Sequence, residues 1–365
     1  MDTEVCRERG RVPAYRCTLS APLTRCFFRG RETGFTFSSR QDPDTFTTRK
    51  VKGPYSLREP RSRRISGNSE LQVHRCTEKD INLCDALQSC MSAVTREVNL
   101  PSGLSTVMRA WLPEGEPKAV VVGIHGFAEH SGRYAHVGDF LSSRGYALYM
   151  YDLRGHGLSK WERGYVDSFD QFVEDSVAFY RLVVSGHAGK KGFVLGHSMG
   201  GVIAVLTVYR LGGEVSGLVT SGAALEVNVG AGTRLLLRLL SAVNPRGRAK
   251  LPVNVDCLSR DKAVAESYVA DNLVFKDPTY RLLAEFGRGV SEAWKAAAKV
   301  TVPALLMHGE EDCLVPPSAS RKLFQVLPSS DKTLEVFPGM KHEIFNEVDK
   351  EKVLEKLAEW LDKHS

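Results

Sequence analysis

The chain has 365 residues, 42% of them apolar and 25% charged, the balance of an ordinary globular protein and not of a collagen, a coiled coil or a wholly disordered chain. That length accommodates two or three units, or one large α/β domain with an appendage. The net charge of +6 points to nucleic acid only until it is divided along the chain: residues 1–90 carry 17 Lys and Arg against 11 Asp and Glu, whereas residues 91–365 carry 32 of each, so the larger part has no footprint for a polyanion.

Residues 1–90 lack tryptophan and any sustained period of 2 or 3.6, and a stretch of this kind buries too little to offset chain entropy. They read as a basic, mostly disordered extension. Met1-Asp2-Thr3-Glu4 places acids where a secretory signal needs a basic start. The run Arg58-Glu59-Pro60-Arg61-Ser62-Arg63-Arg64 reads as a solvated linker, with an organelle address or an anionic surface contact as alternatives. Six of the eight cysteines fall in this extension, no C-x-x-C pair occurs and no His cluster stands at ligand spacing. No zinc site is therefore expected, and the thiols are expected to be free in a reducing compartment. The late pair, Cys257 and Cys313, reads as bystanders. No aliphatic run approaches the roughly 18 residues of a membrane span, so a cytoplasmic protein, membrane-peripheral at most, is expected.

From Met91 the texture changes. Val94–Val98 and Ser105–Leu112 read as an antiparallel pair, followed by apolar runs at Ala119–Ile124, Tyr146–Tyr151, Gly192–Leu195, Val215–Thr220, Val302–Met307 and Thr333–Phe337. Runs without polar alternation, spaced by helix-length segments, indicate a mostly parallel, doubly wound sheet covered on both faces. Asp349–Leu361 forms a last helix with one apolar face. About eighty residues between Ser221 and Val302 interrupt the alternation. The expected division is a core from 91 to 225, a helical cap from 226 to 290 and a second core part from 291 to 365. Leu235, Leu236, Leu237, Leu239 and Leu240 in the insertion either pack on the sheet or, with Arg234, Arg238, Arg246, Arg248 and Lys250 around them, face an anionic lipid surface.

Chemistry concentrates in Gly196-His197-Ser198-Met199-Gly200, between an apolar strand and a helical run. At such a turn the serine is strained and exposed, and the Met199 amide at the helix start faces a nascent oxyanion. The plain alternative is a serine in an ordinary βα loop. A serine hydroxyl needs a base oriented by an acid, and in this architecture the acid and the His follow on loops after later strands. Asp312 fills the acid slot, with Glu311 as alternative and Glu310 solvated. His342 is the base, since only His364, in a frayed terminus, also follows the last strand. The loop His125 to Tyr134 offers Phe127 N–H as second oxyanion donor. His125 and His130 precede the serine and take structural roles.

These residues, with Glu129-His130-Ser131-Gly132-Arg133-Tyr134 and Asp152-Leu153-Arg154-Gly155-His156-Gly157-Leu158-Ser159, resemble the α/β hydrolases, within them the monoacylglycerol lipase and lysophospholipase group, often called the serine aminopeptidase family. The resemblance covers about residues 91–365. It implies a serine esterase, without metal or organic cofactor, acting on a lipid ester with one fatty acyl chain. Monoacylglycerol is the foremost substrate; a lysophospholipid or a broader range of carboxylic esters is the alternative. A catalytically silent scaffold is the reading of a different class. Glu129 and Arg133 are implied at the glycerol side of the pocket, or else form an ion pair that stiffens the loop. Phe127-Ala128 stands where smaller pairs are frequent, and its phenyl ring bears on acyl-chain length.

Overall fold

A computed structural model describes the side chains of residues 93–226, 230–250 and 254–365 and, before these, only the backbone of five strands. The chain divides into two units, Met1–Cys90 and Met91–Ser365. In the first, β1 (Thr3–Cys6), β2 (Tyr15–Ser20), β3 (Leu23–Phe28), β4 (Gly34–Phe37) and β5 (Thr48–Lys50) pair in that order. Every pairing is antiparallel. This meander is not anticipated by the residue pattern. The rest of the extension, including the Arg58–Arg64 run and Cys76, Cys84 and Cys90, lies outside the described residues, as do the side chains of Cys6, Cys17 and Cys26.

The second unit is built on eight strands: β6 (Ala93–Asn99), β7 (Ser105–Trp111), β8 (Ala119–Ile124), β9 (Ala147–Tyr151), β10 (Lys191–His197), β11 (Gly217–Ser221), β12 (Ala304–Gly309) and β13 (Lys332–Phe337). Their order across the sheet is β13-β12-β11-β10-β8-β9-β7-β6. β6 and β7 form the expected antiparallel pair and β7 meets β9 antiparallel; all other neighbours are parallel.

The central strand β8 is buried along its whole length, which is why it lacks polar alternation. The period of 2 divides its residues between two cores. Val120, Val122 and Ile124 join one core with α2 (Phe169–Ser185), α3 (Met199–Leu211) and α6 (Tyr280–Ala297). Ala119 and Val121 join the other with α1 (Ala135–Ser143) and α8 (Lys350–His364). On α8 the buried residues include Val353, Leu354, Leu357, Trp360 and Leu361, the predicted face. His364 is not frayed: α8 extends to it, and its ring stacks on Trp360 at 4.2 Å. Helix α3 is apolar nearly all round and correspondingly buried nearly all round.

Between β11 and β12 the insertion holds α4 (Ala231–Val243) and α5 (Lys262–Ala270), then α6, which crosses the boundary drawn at residue 290. α7 (Ser318–Val326) follows β12. On α4 the side chains of Leu235, Leu236 and Leu239 are each more than half exposed, and Val243 is 87% exposed. None of the four belongs to a buried hydrophobic cluster.

Candidate active site

The sequence Gly196-His197-Ser198-Met199-Gly200 folds as a sharp turn from β10 into α3. Ser198 stands at φ 54°, ψ −120°, a region that costs a non-glycine residue about 1–3 kcal/mol. The surroundings impose it: Ser198 N–H donates to the Ser221 carbonyl at 2.9 Å, and the Ser198 carbonyl accepts from Gly201 N–H at 2.9 Å and Ala224 N–H at 3.0 Å. A Cβ at Gly196 would meet the Gly200 carbonyl, and one at Gly200 the Ile124 carbonyl. Only glycine lets strand and helix approach this closely.

Asp312 and His342 come from the loops after β12 and β13. His342 Nδ1 lies 2.7 Å from Asp312 Oδ2. Since a carboxylate only accepts, Nδ1 carries the hydrogen and Nε2 presents its lone pair. The other carboxylate oxygen, Oδ1, accepts the Leu314 and Val315 amides, each at 2.9 Å. Burial works against the charge of Asp312, but bonds from His308 and His342 hold its carboxyl well below the usual range. Burial likewise works against the imidazolium of His342, yet Asp312 and the nearby Glu343 and Glu129 hold its pKa above the ordinary 6.5. Glu310 and Glu311 are exposed.

His342 and the serine turn adjoin each other. A Cβ at Gly222, next to the Ser221 that anchors Ser198, would sit 3.3 Å from His342 Nδ1. The rings of His197 and His342 are 4.8 Å apart. Among the described residues the Ser198 hydroxyl has no hydrogen-bond partner, and such bonds tighten when substrate arrives.

The two amides predicted as oxyanion donors flank the serine. Met199 is the first residue of α3, where helix amides lack intrahelical partners. On the other side, a Cβ at Gly126, next to Phe127, would sit 3.2 Å from the Ser198 Cβ. Ala128 is strained at φ 65°. Glu129 fixes this loop: its Oε1 accepts the Gly126 amide at 2.5 Å and the Tyr134 hydroxyl at 2.7 Å, and its Oε2 meets Arg133 at 2.6 Å. The Asp152 motif supports the loop from below. Asp152 Oδ1 accepts the Ser131 amide and hydroxyl and an Arg109 N–H, while Arg154 pairs through two bonds with buried Asp175. His125 Nε2 accepts the Leu153 amide at 3.0 Å, and His130 reaches Asp271 in the insertion at 2.8 Å, both structural contacts.

Three features escape a reading of the residues alone. Arg133 forms a two-pronged ion pair with Glu343, both bonds 2.8 Å, and stands over the Tyr268 ring of α5. The insertion also reaches the base loop through main chain, since the Cys257 carbonyl accepts from His342 N–H and the Leu258 carbonyl from Glu343 N–H. Finally, Cys257 and Cys313, expected as unpaired bystanders, form a disulfide with Cα atoms 5.5 Å apart. Folding lays the short helix Val255–Cys257 against the acid loop, and a separation of 56 positions gives no local signal of that meeting.

A family model described as Hydrolase_4, serine aminopeptidase S33, matches residues 115–349. A monoacylglycerol lipase of Mycolicibacterium smegmatis is 38% identical over 72% of this chain and 94% of its own length. The monoglyceride lipase of Homo sapiens is 33% identical over 66% of this chain and 80% of its own. Among solved structures, the Paleococcus ferrophilus monoacylglycerol lipase superposes with a TM-score of 0.65 at 29% identity, covering 71% of this chain and 99% of that one. The chain thus belongs to the serine aminopeptidase S33 family of α/β hydrolases, with the monoacylglycerol lipases as its relatives, and is a serine ester hydrolase.

Proposed function

We propose that the protein hydrolyses esters of a single fatty acyl chain, foremost monoacylglycerol to glycerol and fatty acid, with Ser198 as nucleophile, His342 as base and Asp312 as its orienting acid. The observation that carries this reading is the 2.7 Å bond from His342 Nδ1 to Asp312, which leaves Nε2 bare beside a serine held at a strained turn. In the first half-reaction Nε2 takes the Ser198 proton as the oxygen attacks the ester carbonyl. The amides of Phe127 and Met199 receive the oxyanion, each such donor being worth about 3 kcal/mol. The alcohol leaves with the proton from His342. Water then attacks the acyl-enzyme with the same imidazole as base.

Glu129 and Arg133 enter this proposal as the wall on the glycerol side. Both oxygens of Glu129 are already hydrogen-bonded and Arg133 is shared between two carboxylates, which favours an ion pair that shapes the site over direct contact with the alcohol. The exposed apolar face of α4 supports a further element, a peripheral contact of the cap with a lipid surface. The test is labelling with a fluorophosphonate, followed by rates on monoacylglycerols, lysophospholipids and short p-nitrophenyl esters. Labelling at Ser198 with monoacylglycerols fastest is expected. Faster lysophospholipid turnover would move the substrate to the alternative class, and folded protein that does not label would leave only a scaffold.

A further inference from the structure

The candidate acid holds a second imidazole. His308, the penultimate residue of β12, is fully buried, and its Nε2 lies 3.1 Å from Asp312 Oδ2, the same oxygen that receives His342. That Nε2 also faces the Val315 carbonyl at 3.0 Å, while Nδ1 lies 2.7 Å from the Ser320 hydroxyl on α7. A nitrogen placed between a carboxylate oxygen and a carbonyl oxygen has only acceptors around it. It must carry a hydrogen, whatever Nδ1 carries, because the Ser320 hydroxyl can serve either role.

We infer that His308 is a positioning residue of the ester hydrolase, donating from Nε2 to Asp312 so that one carboxylate oxygen is shared between two imidazoles. The inference rests on the assignment of Asp312 and His342 to the reaction. His342 and the amides of Leu314 and Val315 donate to the carboxylate, and the His308 Nε2–H, shared between Asp312 Oδ2 and the Val315 carbonyl, is the fourth donor beside its two oxygens; together they fix its plane and therefore the ring it holds. The shared oxygen also pulls less on the His342 proton than one with a single donor. The groups that face His342 are Asp312, Glu343, Glu129 and His197; those that face Asp312 are His308, His342 and the two amides. Of these, only His308 can be replaced without touching the base, the acid or the loop around Glu129.

The experiment compares His308→Gln with His308→Asn. A glutamine amide reaches the place of Nε2 and keeps a donor toward Asp312; an asparagine amide stops near Nδ1 and does not. For His308→Asn, kcat/KM on a soluble p-nitrophenyl ester should fall on the order of tenfold. Its acid limb should move upward by about half a pH unit, because a less shared carboxylate favours the imidazolium of His342. His308→Gln should return the limb to its wild-type position. A wild-type rate and limb in His308→Asn, or an equal shift in both variants, would overturn the inference. Should the asparagine variant not fold, ¹⁵N shifts of the wild-type protein decide: a protonated His308 Nε2 is expected, and a bare one refutes the role. Asp312→Asn and His342→Ala run in parallel. Their full activity would remove the underlying assignment, whereas their loss of activity beside an unaffected His308→Asn would remove only His308.

Discussion

Glu343, the residue after the candidate base, is clamped by Arg133, 210 positions earlier, through two hydrogen bonds of 2.8 Å each. The same guanidinium holds Glu129, whose Oε1 fixes the Gly126 amide. One half-buried cation therefore ties the loop of the proposed oxyanion donor Phe127 to the loop of the imidazole. Removing it in Arg133→Met leaves two buried carboxylates facing each other, which should destabilise the fold by about 3–5 kcal/mol. kcat should fall more than KM rises, as read from urea unfolding and initial rates. A raised KM at unchanged kcat and stability would instead place Arg133 in direct contact with the alcohol.

The backbone of Ser198 allows a test that separates strain from chemistry. Ser198→Ala should abolish turnover and leave the fold unchanged. Ser198→Gly should also be inactive, yet more stable than the alanine variant by about 1 kcal/mol, since φ 54° with ψ −120° costs glycine little. Thermal melts of the two variants decide it. Equal midpoints would mean that the turn stores no strain.

The pH profile follows from the environment of His342. Its neutral form is the proposed base, so activity should be lost as pH falls through its pKa. Burial lowers that pKa and the Asp312 bond more than restores it, so the acid limb of kcat/KM should lie above 6.5. In Asp312→Asn the attraction is gone and burial remains. Whatever activity survives should show its limb below the wild-type position, and a limb that stays in place would break the link between the two residues.

The fold and the candidate reacting groups are legible in the sequence because each is written locally. Buried parallel strands are short apolar runs, the strained turn announces itself by Gly196 and Gly200, and the candidate acid and base stand directly after β12 and β13. What ties these pieces together is not local. Arg133 and Glu343 are separated by 210 positions, His308 and Asp312 by only four but across a loop whose path no pattern reveals, and Cys257 meets Cys313 only once the insertion has folded back. The exposure of Leu235, Leu236 and Leu239 is of the same kind: an apolar stripe fits packing or lipid equally well until its surroundings are known.

The disulfide between Cys257 and Cys313 joins the insertion to the acid loop across 56 positions. Restricting an unfolded chain over such a loop is worth about 4 kcal/mol in the loop-entropy account. Cys257→Ser should therefore lower the midpoint of unfolding, and a reductant should lower that of the wild-type protein while leaving the variant unaffected. Because the Cys257 carbonyl also accepts from His342 N–H, the reduced protein should lose turnover at temperatures where it is still folded. Identical unfolding curves with and without reductant would mean that the two thiols are not paired.

The exposed face of α4 predicts a difference between dissolved and membrane-borne substrate. Leu235, Leu236, Leu239 and Val243 give the cap an apolar stripe, and burial of one leucine in the headgroup boundary contributes about 1.5–3 kcal/mol when complete. Leu235→Ser with Leu239→Ser should weaken sedimentation with vesicles of phosphatidylcholine and phosphatidylglycerol by roughly tenfold or more. Turnover of a monoacylglycerol carried in those vesicles should fall in parallel, while p-nitrophenyl butyrate in free solution should be hydrolysed at the wild-type rate, since neither leucine belongs to the loops around Ser198. Equal losses on both substrates would mean that the substitutions act through the fold of the cap, and unchanged vesicle binding would remove α4 from the lipid contact.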